Sequence, residues 1–145
     1  MMMKRFTPTI VILLMFMSGT ALAERMTVNV SMANVRSGPG NEHGILWKLE
    51  KYHPVEILKK QDVWYYFEDF ENDKGWIHKS LLTGEPSVIV VKDRCNIRSG
   101  PGTQYEIVFT VEKGVPFKVL KKEGEWISIV HADGDKGWVH KNLVW

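Results

Sequence analysis

Apolar and polar positions alternate along the chain in short runs of four or five residues that fit no helical 3.6-residue repeat. Pro116 to Leu120 (PFKVL), Trp126 to Val130 (WISIV) and Gly137 to His140 (GWVH) show it most clearly. The runs are rich in Val, Ile, Phe and Trp. Turn-forming stretches separate them: Ser-Gly-Pro-Gly, then Glu-Lys-Gly-Val, Glu-Gly-Glu and Asp-Gly-Asp-Lys-Gly. This punctuation predicts an all-β fold with about five short strands per unit. Alternation places Phe117 and Val119 on one face of their strand, and Ile127 and Ile129 on one face of the next. That aliphatic face is the expected core, and Trp126 points away from it.

The pattern occurs twice. An offset of 62 lays Met26 to Leu82 on Val88 to Val144 without a gap. Identities gather at Asn34 with Arg36-Ser37-Gly38-Pro39-Gly40 (again at Asn96 and Arg98 to Gly102), at Glu50-Lys51 with Pro54, at Leu58-Lys59-Lys60 with Trp64, and at Lys74-Gly75-Trp76 with His78-Lys79. Most are turn residues and tryptophans, so a fold is duplicated rather than a catalytic centre. Closing a small antiparallel sheet into a barrel removes its edges and lets about 57 residues enclose a core. Two barrels are therefore expected, at 26–82 and 88–144. The connector at 83–87, Thr83-Gly84-Glu85-Pro86-Ser87, is too short for independent motion, and the barrels are expected to touch.

The combination of RSGPG after a strand Cys-Asn-Ile, EKG-x-P-x-x-VLKK, a lone Trp and GWVHKNL resembles a bacterial SH3-like (SH3b) domain, in both copies. The resemblance covers nearly all of the chain after residue 25. It implies two small SH3-like barrels and a non-catalytic binding module. Relatives are joined to cell-wall hydrolases or occur in exported proteins, where some hold peptidoglycan peptides. The first copy departs from the pattern at Tyr52-His53, where the second has Gly114-Val115, and at Asp62-Val63, where the second has Gly124-Glu125. Loss of two glycines is expected to change those loops.

The first 23 residues break the alternation. Met1 to Arg5 is positive, Thr9 to Met17 is apolar, and Ala21-Leu22-Ala23 has the small-x-small form of a cleavage site. This reads as a signal peptide cut after Ala23, which places the working protein in the periplasm or in the extracellular cell wall. An uncleaved anchor is the alternative. However, nine continuous apolar residues fall short of the roughly 20 that span a bilayer, so no stable membrane insertion is expected after cleavage. The formal charge of +2 belongs to Lys4 and Arg5; from Glu24 onward 17 basic residues balance 17 acidic ones. That balance argues against nucleic acid or an anionic membrane as partner. A composition 44% apolar excludes disorder, and a single cysteine excludes a disulfide scaffold.

Candidate chemistry is sparse. In the Ser-Gly-Pro-Gly turns, Pro39 and Pro101 fix φ, while Gly38, Gly40, Gly100 and Gly102 are free to take positive φ. Arg36 and Arg98 either form a loop-stabilising ion pair or present a guanidinium to a ligand carboxylate. Trp64 and Trp126, sharing an outward face with Tyr66 and Ser128, either pack on a neighbouring loop or floor a shallow groove. By resemblance to SH3 barrels, that groove lies between the Ser-Gly-Pro-Gly loop and the third turn. Trp76 and Trp138 read as core or rim packing. His78 and His140 recur in Trp-x-His-Lys without partners at ligand spacing, so neither metal nor cofactor is expected. Cys95 matches Ala33 and reads as a buried small residue, with an intermolecular disulfide or a reactive thiol as the alternatives.

Two functions fit. One is recognition of an extended cell-wall peptide; the other is docking onto a second envelope protein that the barrels localise or regulate. An enzyme is not expected, because Cys95 lies in a core strand and no Ser, His and Asp set stands out.

Overall fold

A computed structural model describes Met3 and residues 23–145. The expected signal peptide, apart from Met3 and Ala23, lies outside the described residues. Strands form where alternation places them. The first sheet comprises Glu24–Val28 (β1), Met32–Arg36 (β2), Ile45–Glu50 (β3), Pro54–Gln61 (β4), Trp64–Glu68 (β5), Lys74–His78 (β6) and Leu82–Thr83 (β7). The second comprises Ser87–Ile89 (β8), Cys95–Arg98 (β9), Ile107–Val111 (β10), Pro116–Glu123 (β11), Trp126–Val130 (β12) and Lys136–His140 (β13). One turn of 3-10 helix, Lys79–Leu81 or Lys141–Leu143, follows the last long strand of each unit. Strand order is β3-β2-β6-β5-β4-β1-β7 and β10-β9-β13-β12-β11-β8, the same path twice. Among the described residues no helix is long and apolar enough to cross a membrane.

Each sheet closes on its own core. Val28, Ala33, Val35, Leu49, Val55, Ile57, Phe67 and Ile77 fill the first. The second holds Phe117, Val119, Ile127 and Ile129, the aliphatic face read from alternation, with Cys95, Ile97 and Val139. Ala33 and Cys95 occupy equivalent buried slots.

Two expectations about glycine are corrected. Gly38, Gly40, Gly100 and Gly102 do not take positive φ. They are small because the chain folds back over them: a Cβ on Gly38 would strike the His43 ring, and one on Gly100 the Tyr105 ring. Nor does loss of two glycines reshape the first copy. Tyr52 (φ 72°), Asp62 (φ 56°) and Asn72 (φ 61°) hold the left-handed conformation that Gly114, Gly124 and Gly134 hold in the second. The surrounding strand pairings over-determine the turn, and the side chain tolerates the strain.

The barrels touch. Thr83 pairs with Thr27 and Ser87 with Lys118, so only residues 84–86 lie between strands. The buried Thr27 hydroxyl lies 2.6 Å from the Glu85 carbonyl and 2.7 Å from Ser87 Oγ. Arg25 Nη2 donates to the Ser87 carbonyl at 3.3 Å, and its guanidinium lies 4.0 Å over the Trp145 ring. The short connector is thus tied to both barrels by polar contacts.

Candidate functional site

The Ser-Gly-Pro-Gly loop is held by its own arginine. Arg36 Nη1 donates to the carbonyls of Asn41 (3.1 Å) and His43 (2.9 Å), and Arg98 Nη1 to those of Thr103 (3.1 Å) and Tyr105 (2.9 Å). The loop is therefore stabilised through backbone carbonyls, not through an ion pair; among the described residues neither guanidinium has a carboxylate within 4.0 Å. The physical reason is that the curled loop aims its carbonyls inward, where the two N–H groups of a single guanidinium nitrogen satisfy two of them together.

Beside this loop, Trp64 opposes His78 in the β5–β6 ladder and Trp126 opposes His140 in the β12–β13 ladder. The rings meet edge to face, with centroids 5.2 Å and 5.3 Å apart. Each histidine is fixed from behind: its Nδ1 accepts the N–H of Ser80 or Asn142 at 3.1 Å, capping the 3-10 turn. The third turn is tied to the same place, Lys79 N–H donating to the Val63 carbonyl and Lys141 N–H to that of Glu125.

These parts form one shallow groove per barrel. The first, about 190 Å³, is lined by Met32, Asn34, Arg36, Asn41, Trp64, His78 and Leu81. The second, about 260 Å³, is lined by the counterparts Arg94, Asn96, Arg98, Thr103, Trp126, His140 and Leu143, with Cys95. The structure thus brings Arg36 to Trp64 and Arg98 to Trp126. Tyr66 and Ser128 are not among these lining residues. They share the outer face one ladder step away, opposite Trp76 and Trp138. Those two tryptophans face outward rather than into the core, which Ile77 and Val139 fill instead. Tyr66 lies 5.1 Å from the Trp76 ring, and the ammonium groups of Lys59 and Lys121 lie 5.8 Å and 5.5 Å over Trp76 and Trp138.

The asparagine, histidine and leucine of each groove escaped sequence reading as site residues. The signal was present: Asn34, His78 and Leu81 recur identically as Asn96, His140 and Leu143, while many apolar core positions drift. The grooves differ at their rims. Arg94 and Glu125 stand where the first barrel has Met32 and Val63, and Glu125 lies 3.5 Å from His140 Nε2 and 3.0 Å from Lys141 Nζ. Lys141 first, then His140, holds the Glu125 carboxyl below its usual range.

Cys95 reaches the second groove but is only 1% exposed. Its thiol donates to the Lys92 carbonyl at 3.8 Å, and burial pushes its pKa up, the opposite of an activated thiolate. Elsewhere, His53 and Asp69 are buried together in the first barrel, Nε2 lying 3.7 Å from Oδ2. Among the described residues no group of three His, Cys, Asp or Glu is placed to hold a metal.

A family model, the bacterial SH3 domain, matches residues 29–84 and 91–145. The chain is 31% identical over 140 residues to the "Putative N-acetylmuramoyl-L-alanine amidase YrvJ" of Bacillus subtilis, covering 89% of this chain and 27% of that protein. It is 37% identical over 68 residues to the "Probable cell wall amidase LytH" of Staphylococcus epidermidis, covering 44% and 23%. The chain thus spans about a quarter of the length of these curated relatives. Among solved structures, NlpC1 of Trichomonas vaginalis aligns with a TM-score of 0.40 at 16% identity, covering 94% of this chain and 50% of that one.

Proposed function

The chain belongs to the bacterial SH3 domain family, and from that premise we propose that it is an exported, non-catalytic module whose two grooves grip peptidoglycan peptides. The observation that carries this reading is the matched pair of Trp–His grooves, repeated at an offset of 62 and braced in each barrel by the same arginine and the same 3-10 turn. The names of the amidases above support the wall as the place of action. A shallow groove suits an extended chain better than a compact metabolite, which needs deeper enclosure. The indole supplies a flat apolar floor at low entropic cost, and the Arg and Asn side chains offer donors to peptide carbonyls or carboxylates. Two grooves on one polymer add avidity when both engage. What supports binding without turnover is that His78 and His140 each cap a turn through Nδ1 and that the Cys95 thiol is buried.

Sedimentation with purified peptidoglycan tests the proposal. The native chain should co-sediment, and a Trp64→Ala/Trp126→Ala variant should lose binding by about 30-fold or more, the size of a single hot-spot side chain of about 2 kcal/mol. Undiminished binding by the double variant would sink the groove reading.

A further inference from the structure

A cleft of about 370 Å³ lies between the barrels and is lined by both of them. Its floor is the rim of the second core: Val88, Val119 and Ile127, at 7%, 8% and 6%, are the most exposed members of that core. Arg25 and the Trp145 indole form one wall, and Lys122 and Lys141 bring further cations. Lys141 is neutralised by Glu125 at 3.0 Å, and Glu85, the acidic residue of the lining, by Lys118 at 3.1 Å. Among the described residues Arg25 and Lys122 have no carboxylate within 4.0 Å.

The first barrel carries different side chains at the equivalent place. There Met26 stands for Val88 and Tyr65 for Ile127, larger side chains in both cases. Lys60, the counterpart of Lys122, is bonded to Glu24 at 2.6 Å and lies 4.9 Å over the Tyr65 ring. In the second barrel Pro86 takes the place of Glu24, so the carboxylate is gone, and the smaller residues leave a hollow. One copy carries bulkier side chains and a paired lysine there; the other carries smaller ones and, among the described residues, leaves Lys122 without a carboxylate within 4.0 Å, while Arg25 faces Glu56 only across the strand pair.

We propose that this cleft binds the C-terminal carboxylate of a peptide, with Arg25 and Lys122 supplying the positive charge and Trp145 and the valine floor receiving the small apolar residue that bears it. The inference rests on the peptide-binding reading above and adds a terminus-specific subsite to it. A polyphosphate would need a broader cationic surface, and the chain is charge-balanced from Glu24 onward.

The test is an NMR titration of the full chain, following the Trp145 indole N–H. The probes are N-acetyl-alanyl-alanine as the free acid, its carboxamide, and inorganic phosphate. The free acid should shift the Trp145 signal saturably and bind at least tenfold more tightly than the carboxamide, the difference one charge-assisted hydrogen bond makes. Lys122→Glu should abolish the shift, and so should Ile127→Tyr, which installs the residue the first barrel already accommodates. Equal binding of acid and amide, no response at Trp145, or tighter binding of inorganic phosphate would each overturn the proposal. If Trp145 stays silent while sedimentation still depends on Trp64 and Trp126, the subsite alone fails. If Trp145 responds while sedimentation does not depend on them, the groove reading fails and the subsite stands.

Discussion

Arg94 holds φ at 117° on the rim of the second groove, a conformation costly for a long side chain. Its ion pair with Glu112, at 3.9 Å, is exposed and returns little. Strain of roughly 1–3 kcal/mol less the entropy of glycine leaves Arg94→Gly more stable by about 1 kcal/mol, measurable by urea unfolding. His53 sets a pH dependence. Burial lowers its pKa from 6.5 to about 4, so the folded state favours the neutral ring. As pH falls from 6.5 toward 4 the unfolded chain takes up a proton that the folded chain refuses, and stability drops by up to about 3 kcal/mol. Asp69 works the other way: burial raises its carboxyl pKa, so its cost at neutral pH is relieved as the folded acid protonates. The His53→Val variant, which copies Val115, should flatten the slope between pH 6.5 and 4 in a series of denaturant titrations. An unchanged slope would show that other groups govern it. Neither feature was legible in the sequence, since a left-handed φ at Arg94 and a dry site at His53 are set by neighbours distant along the chain.

At the scale of strands and turns, sequence reading succeeded where period-two alternation governs. PFKVL and WISIV placed Phe117, Val119, Ile127 and Ile129 in the core because a strand has only two faces. It failed where composition stood in for contact. Glycine in the Ser-Gly-Pro-Gly loop suggested positive φ, whereas ring packing over the backbone is what excludes a side chain. The Gly-Trp strand has a similar cause: a Cβ on Gly75 would collide with Val35 Cγ1, and one on Gly137 with Ile97 Cγ2 and, at 3.0 Å, the Arg98 carbonyl. Gly137→Ala should therefore destabilise the second barrel by about 1–3 kcal/mol through overpacking. Thermal unfolding followed at the Trp138 indole would read this, and a variant as stable as the native chain would show that β13 and β9 can part without cost.

At the scale of the whole molecule, the described residues form two barrels fused through a three-residue span and a buried Thr27–Ser87 contact, with Arg25 stacked on Trp145. Contact between the barrels was foreseeable from connector length; the cleft it creates was not, because it depends on which side chains the second copy shortened. The groove position rested on the resemblance to SH3 barrels, and its histidine wall was not foreseen, since an edge-to-face pair is visible only once β5 and β6 are in register. Under the proposed function, the two matched grooves act on the same class of ligand. The most direct measurement is an NMR titration of the full chain with a soluble peptidoglycan stem peptide, monitoring all six indole N–H signals. Trp64 and Trp126 should shift together and saturably, with Trp47, Trp76 and Trp138 shifting least. Saturable shifts confined to those three, or no shift at Trp64 and Trp126 at any peptide concentration, would contradict the assignment of the grooves as the wall-peptide sites.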